Sequence, residues 1–246
     1  PDELKLIKES PDERRRFMDI DLCQFDKSYF YNLNHYNQIL QQRNKLLKSP
    51  DPKTVKDTLP IWDEQLATYG ASIIIARLKL IENLKIHAKK IHSYLTSNAE
   101  DLELSYQGYV AENENELKLL LLKKLSENTD KDIHLGYTTV GPHRDDIKIM
   151  SNNIDLRSFG SQGQQRTASL TLKLAELESF KSQLGEYPVL LLDDVLSELD
   201  TSRQTKLLEY ISQIQTLITC TDFDFDIPHT KYFVNSGKIE KIEKNT

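Results

Sequence analysis

Cysteine is scarce in this chain: Cys23 and Cys220 are the only two in 246 residues. They are too few and too far apart for a disulfide framework or a cysteine-based zinc site, so a reducing compartment, the cytoplasm, is expected. No apolar run approaches the roughly 20 residues needed to cross a bilayer, and no membrane segment is expected. The start, Pro1-Asp2-Glu3-Leu4, carries neither an initiator methionine nor a signal-peptide pattern, and the sequence reads as lacking a segment upstream. None of the eight glycines sits in Gly-x-x-x-x-Gly-Lys-Ser/Thr; Gly237-Lys238 lacks both the earlier glycine and the hydroxyl residue. The Walker A phosphate loop is therefore absent. An excess of positive charge is missing too, since 32 Lys and Arg face 38 Asp and Glu for a net charge of −6. Any nucleic-acid contact has to come from local patches.

What is present concentrates in residues 158–200. Ser158-Phe159-Gly160-Ser161-Gln162-Gly163-Gln164-Gln165-Arg166 opens a helix expected over Gln164 to Leu184. Ser161 can cap it, and Gly163 removes a side chain where backbone N–H groups must approach an anion. Ala168, Leu170, Leu172, Leu174, Ala175, Leu177 and Phe180 supply the apolar face of a helix packed on a sheet. Val189 to Leu192 reads as a strand buried on both faces, which predicts a parallel sheet covered by helices and an α/β fold. Asp193 ends that strand, where P-loop NTPases hold Mg²⁺, and Asp194 beside it can orient or deprotonate a water. Taken singly, the first element is an ordinary helix cap and the second an ordinary strand meeting solvent. In this order, and followed by Ser197-Glu198-Leu199-Asp200, they resemble the second half of an ABC-type ATPase head: signature motif, Walker B and D-loop.

The remainder is mostly helical. Ser10-Pro11-Asp12-Glu13 predicts a capping box with proline at the first helical position, bringing Arg14, Arg15 and Arg16 onto a first turn where Asp19 and Asp21 can pair with them. Tyr29, Leu33, Tyr36, Leu40 and Leu47 form a seam at steps of four and three, with one position taken by a polar residue. Ser49-Pro50-Asp51-Pro52 breaks it. A second helix is predicted over Ile61 to Ser97, striped by Trp62, Leu66, Tyr69, Ile73, Ala76, Leu80, Leu84, His87 and Ile91, so the pair forms an antiparallel, coiled-coil-like hairpin. Further on, the patterns predict a strand at 102–106, a helix at 116–126, strands at 137–140 and 147–150, a helix at 203–212, a parallel strand at 215–221 and a final hairpin strand at 232–239. His143-Arg144-Asp145-Asp146 reads either as a catalytic cluster or as a salt-bridged turn. Asp222, Asp224 and Asp226 read as a solvated acidic loop, with a metal site as the alternative.

The wording of four stretches is similar to the RecF family of bacterial replication and repair proteins: Ser10 to Asp19, Gly136 to Asp146, Phe159 to Thr167, and Leu191 to Asp200. The resemblance spans nearly the whole chain. It implies the C-terminal part of an ABC/SMC-like head with an inserted helical arm: residues 1–9 ending an N-terminal lobe, 10–100 the arm, 101–246 the head. It also implies an ATP-dependent homodimer in which Ser161, Gln162, Gly163, Gln164 and Gln165 reach the nucleotide of a second subunit. Asp193 and Asp194 would be catalytic, with Mg²⁺ at Asp193, and Ser197 and Asp200 would belong to the D-loop. Cys220 or Thr221 stands where ABC ATPases carry a switch histidine, which implies slow, DNA-stimulated turnover, and without Walker A this chain alone should bind ATP poorly. Implied partners are gapped and single-stranded DNA, RecO and RecR, with no membrane. Three basic clusters could meet DNA: Arg14 to Arg16; Lys118, Lys123 and Lys124; and the favoured one, Arg77, Lys79, Lys85, Lys89 and Lys90, although charge runs are usually solvated faces. A transporter ATPase subunit and a non-enzymatic coiled-coil module are the alternative readings.

Overall fold

Helix α2 (Pro11–Phe25) begins with proline where its fixed φ suits a first turn. The computed structural model describes residues 4–245, and a short α1 (Lys5–Lys8) precedes α2. The expected capping box does not form: the Ser10 hydroxyl donates to the Asp12 carboxylate at 3.3 Å and makes no cap bond. In α3 (Lys27–Leu47), Asp26 caps by accepting the Ser28 N–H at 2.8 Å, and Tyr29, Tyr36, Ile39 and Leu47 are buried. Helix α4 spans Pro52–Leu95, starting nine residues earlier than Ile61. Pro52 is a starter rather than a breaker, because Asp51 accepts the Lys53 N–H and proline is tolerated at the first helical position. Pro60 lies inside the helix, whose 44 residues reach about 66 Å. Tyr29 meets Arg77 while Arg43 meets Asp63, so α3 and α4 run antiparallel.

Tyr29, Tyr36, Leu66, Ile73 and Ile74 form the main core with Leu117, Leu121 and Leu125 of α5 (Glu114–Glu127). Trp62 and Tyr69 pack on it half-buried. Strands β1 (Leu102–Gln107), β2 (Asp146–Ser151) and β3 (Ile154–Asp155) make an antiparallel sheet in that order, with Leu104 opposite Ile149. Between α5 and β2 lie α6 (Thr129–Leu135), which ends on Gly136 at φ 72°, and a 3₁₀ turn, Pro142–Arg144. The strand expected at 137–140 is not formed. The Thr138 N–H donates to the Asn44 side chain and the Thr139 N–H to Asp132, so the donors a ladder would need are committed to side chains.

After β3, α7 (Leu156–Phe159) leads into α8 (Gln162–Leu184), closed by Gly185 at φ 84°. The chain divides after Pro188 into two compact units. The long α4 packs on α5, β1 and α8, so arm and signature helix share one body. The second unit holds β4 (Leu190–Asp193) paired in parallel with β5 (Thr216–Thr219), α9 (Thr201–Tyr210), and the antiparallel hairpin β6 (His229–Asn235) and β7 (Lys238–Asn245). Strand β4 is not buried on both faces: Leu190 and Leu192 are 8% and 3% exposed, but Leu191 is 69% exposed. Side chains alternate across a strand, and here alternate residues of β4 are left in solvent.

Candidate nucleotide-binding site

The signature segment folds as a complete helix start. Ser161, in extended conformation, accepts the Gln164 N–H at 3.2 Å, and the Gln164 side chain accepts the Ser161 N–H at 3.0 Å, a reciprocal capping box. Helix geometry leaves the N–H groups of Gln162 and Gly163 without intrahelical acceptors. Ser161, Gln162 and Gly163 are exposed and Gln164 half-buried, so the positive end of the α8 dipole faces solvent, where an anion is favoured. Gln165 is different. It is buried, and its amide donates to the Leu156 carbonyl at 2.7 Å; it supports the preceding turn and is not presented to a ligand.

Asp193 stands at the end of β4 opposite Thr219 of β5. The Thr219 hydroxyl donates to one Asp193 carboxylate oxygen at 2.5 Å. This partner escaped the sequence reading; a hydroxyl at the matching register position of the neighbouring parallel strand was its only signal. Asp194 adopts φ 53°, with its N–H donated to the Thr219 carbonyl at 3.1 Å, and both acids are exposed. Ser197 and Asp200, expected from the sequence to form a D-loop, have structural roles here: the Ser197 hydroxyl donates to the Asp194 carbonyl at 2.9 Å, and Asp200 caps α9 by accepting the Arg203 N–H at 3.0 Å. Mg²⁺ takes oxygen ligands, usually one or two carboxylates completed by phosphates and water, and Asp193 fits that part. Among the described residues no group of three His, Cys, Asp or Glu could hold a metal alone, which leaves Asp222, Asp224 and Asp226 as an acidic loop.

The basic clusters sort by burial. Arg77 is 2% exposed, ion-paired to Asp19 at 2.7 Å and donating to the Pro142 carbonyl at 2.8 Å; it is removed from the candidate DNA patch, because its charge is committed inside. Lys79, Lys89 and Lys90 are exposed on α4 and Lys85 is partly so, although Lys85 pairs with Glu82 and Lys89 lies 3.5 Å from Asp101. Lys118 pairs with Glu64, and Lys123 and Lys124 with Glu127. Arg14 pairs with Asp146 at 2.6 Å and Arg15 with Asp12 at 2.5 Å, not with Asp19 and Asp21. The His143 loop is a polar joint. His143 bonds the Tyr36 hydroxyl at 2.6 Å and the Thr138 carbonyl at 3.1 Å, Arg144 donates to that same carbonyl, and Tyr106 donates to Asp145. Burial holds His143 neutral down to about pH 4 and pushes Asp145 up to about 6. The ion pair at this loop is that of Asp146 with Arg14.

No family model matches the sequence. Whole-chain similarity decides the question: "DNA replication and repair protein RecF" of Clostridium botulinum is 48% identical over 98% of this chain, which covers 68% of that protein. This chain belongs to the RecF family. RecF of Clostridium tetani is 46% identical over 99% of the chain. A solved structure described as the recombination mediator protein RecF with ATP, in the RecFOR pathway, matches at TM-score 0.83 and 36% identity over 99% of this chain and 65% of its own. The chain thus spans about two thirds of the RecF proteins it matches. Its fold class is that of RecF: a mixed α/β, ABC-type head part bearing a helical arm. No helix among the described residues is long and apolar enough to cross a membrane.

Proposed function

We propose that this chain is the signature-motif and Walker B part of an ATP-gated DNA clamp of recombinational repair and replication. The observation that carries the reading is the exposed, capped N-terminus of α8 in a chain of the RecF family. In a pair of copies closed by ATP, Ser161, Gln162, Gly163 and Gln164 of one copy face the γ-phosphate held by the other, and Gln165 holds the turn behind them. The Gln162 and Gly163 N–H groups bind the developing charge of phosphoryl transfer without reorganising. Asp193, fixed by Thr219, holds Mg²⁺, which when bound supplies charge neutralisation of the phosphates. Asp194 orients or deprotonates the attacking water. With Cys220 or Thr221 in place of a switch histidine, turnover is slow and the closed state persists. Lys79, Lys85, Lys89 and Lys90 contact DNA phosphates at gapped single- and double-strand junctions. RecO and RecR are the partners with which the clamp helps load recombinase, in keeping with the pathway named for the solved relative. Membership of a repair family disfavours a transporter subunit.

Sedimentation of the full-length protein, with and without ATP and gapped DNA, tests this beside Ser161→Arg. The expected result is an ATP-dependent dimer that the variant loses. In the DNA arm, replacing Lys85, Lys89 and Lys90 with Ala should flatten the salt dependence of duplex binding by about 0.9 per lost phosphate contact. A monomer under every condition would reduce the α8 start to a helix cap and favour the non-enzymatic coiled-coil module.

A further inference from the structure

Gly163 leaves the first turn of α8 without a side chain to hold it, and glycine has the freest backbone of all residues. The peptide group between Gly163 and Gln164 is nevertheless held at both ends. Its N–H, that of Gln164, donates to the Ser161 hydroxyl at 3.2 Å, and its carbonyl, that of Gly163, accepts the Thr167 hydroxyl at 2.8 Å. One turn on, the Thr167 carbonyl accepts the Thr171 hydroxyl at 2.7 Å. A threonine bonded to its own helix is commonplace, but this row continues outside α8. The Thr171 hydroxyl lies 3.0 Å from Nδ1 of His92, in the last turn of α4, and His92, Thr167 and Thr171 are all buried. That hydroxyl has one proton and directs it to Thr167, so Nδ1 carries the hydrogen and donates. The far nitrogen of the ring faces the Glu100 carboxylate at 3.7 Å, and Glu100 accepts the Ser151 hydroxyl at 3.2 Å.

We infer that His92 is a positioning residue for the nucleotide site: through Thr171 and Thr167 it sets the first turn of α8 from the end of α4. A buried imidazole is oriented by what each of its nitrogens meets, and hydrogen bonds in a row strengthen one another where water is excluded. Lys89 and Lys90 lie exposed within the turn before His92, so a phosphate held by them bears on the turn that carries the imidazole. The inference rests on the reading that α8 meets ATP and α4 meets DNA, and adds the residue that joins them. Because coupling is reciprocal, ATP at the α8 start then tightens DNA on α4 by the factor by which DNA tightens ATP.

The test is the ratio of the full-length protein's affinities for gapped DNA with and without ATP. The wild type should show a ratio of about fivefold or more, the lower end of ordinary coupling. Thr171→Val keeps the shape but removes the hydroxyl that joins His92 to α8, and should bring the ratio below about twofold. Thr167→Val, one link nearer the site, should do the same, and decides the matter where Thr171→Val does not fold. Thr171→Ser keeps the hydroxyl and should keep the ratio. Ser179, buried on the same helix and bonded to the Ala175 carbonyl at 3.1 Å, is the control: Ser179→Ala loses a comparable bond and should leave the ratio as in the wild type. A wild-type ratio in either folded valine variant, or an equal fall in Ser179→Ala, would overturn the role of His92 and leave the ATP-gated reading intact. A wild type whose DNA affinity ignores ATP would overturn both.

Discussion

Arg43 occupies the polar gap in the apolar seam of α3 and is completely buried. Its Nε donates to Asp63 at 2.6 Å, and one terminal nitrogen donates to Asp132 at 2.7 Å and to the Thr138 hydroxyl at 2.9 Å. Asp132 also accepts the N–H and hydroxyl of Thr139. One guanidinium thereby ties α3, α4, α6 and the segment before the 3₁₀ turn. Arg43→Ala would leave two carboxylates buried without their counter-charge, so it should cost about 3–5 kcal/mol, read as a lower urea midpoint at unchanged slope. A loss below about 1 kcal/mol would mean that water or another cation replaces the guanidinium. Arg43→Lys should recover only part of the loss, since an ammonium cannot match the fork. The sequence displayed the anomaly, a non-apolar residue at a core step, but not its resolution: the partners lie 20 and 89 positions away. Arg77 repeats the lesson. Its spacing among lysines looked like surface charge, whereas its pairing with Asp19 depends on how α2 lies against α4.

Elements were legible where a single period governed them. The seam of α3, the stripe of α4, α5, α8 and the β4–β5 pair all follow from apolar spacing, as does the cap at Ser161 from residue type. The failures occurred where nonlocal partners decided. Thr138 and Thr139 have strand-like character but bond to side chains of α3 and α6, and the exposed face of β4 depends on what covers the sheet. The contact between α2 and α8 is equally hidden in sequence and carries a pH signature. Asp21 of α2 is 2% exposed and faces Glu176 of α8, itself bonded to Lys173 at 2.9 Å. Burial first, and then the neighbouring Glu176, raise the Asp21 pKa to about 9. The folded chain therefore keeps a proton that the unfolded chain releases near its ordinary value of 3.8, so this site favours folding at acid pH and loses that contribution as pH rises toward 9. Asp21→Asn removes the ionisation while preserving the shape. It should stabilise the chain more at pH 8 than at pH 5 in urea unfolding; equal effects at both would show that Asp21 is already ionised in the fold.

At the scale of the molecule, the division after Pro188 has a physical basis in where the polar network closes. Arg14 reaches Asp146, Arg43 reaches Asp132, Arg77 reaches the Pro142 carbonyl and His92 reaches Thr171, all before residue 188. Each of these pairs joins distant parts of the first unit. Through them Arg14, Arg43 and Arg77, all in the first hundred residues, hold partners beyond residue 130. In the second unit the strands form two two-stranded sheets, and Leu191, Leu217, Val234 and Ile239 are each more than half exposed. Two-stranded sheets are marginal on their own in water. Residues 1–188 expressed alone should therefore fold, with strong helical circular dichroism and one cooperative melt, while 189–246 alone should show no cooperative transition. Near-ultraviolet circular dichroism discriminates the outcomes, because Tyr29, Tyr36 and Tyr106 sit in or against the core of the first unit. A helical but non-cooperative 1–188 lacking that signal would be a collapsed state without fixed packing. The buried ion pairs would then depend on residues beyond Pro188, and the arm, signature helix and Walker B strand would have to be treated as one folding unit.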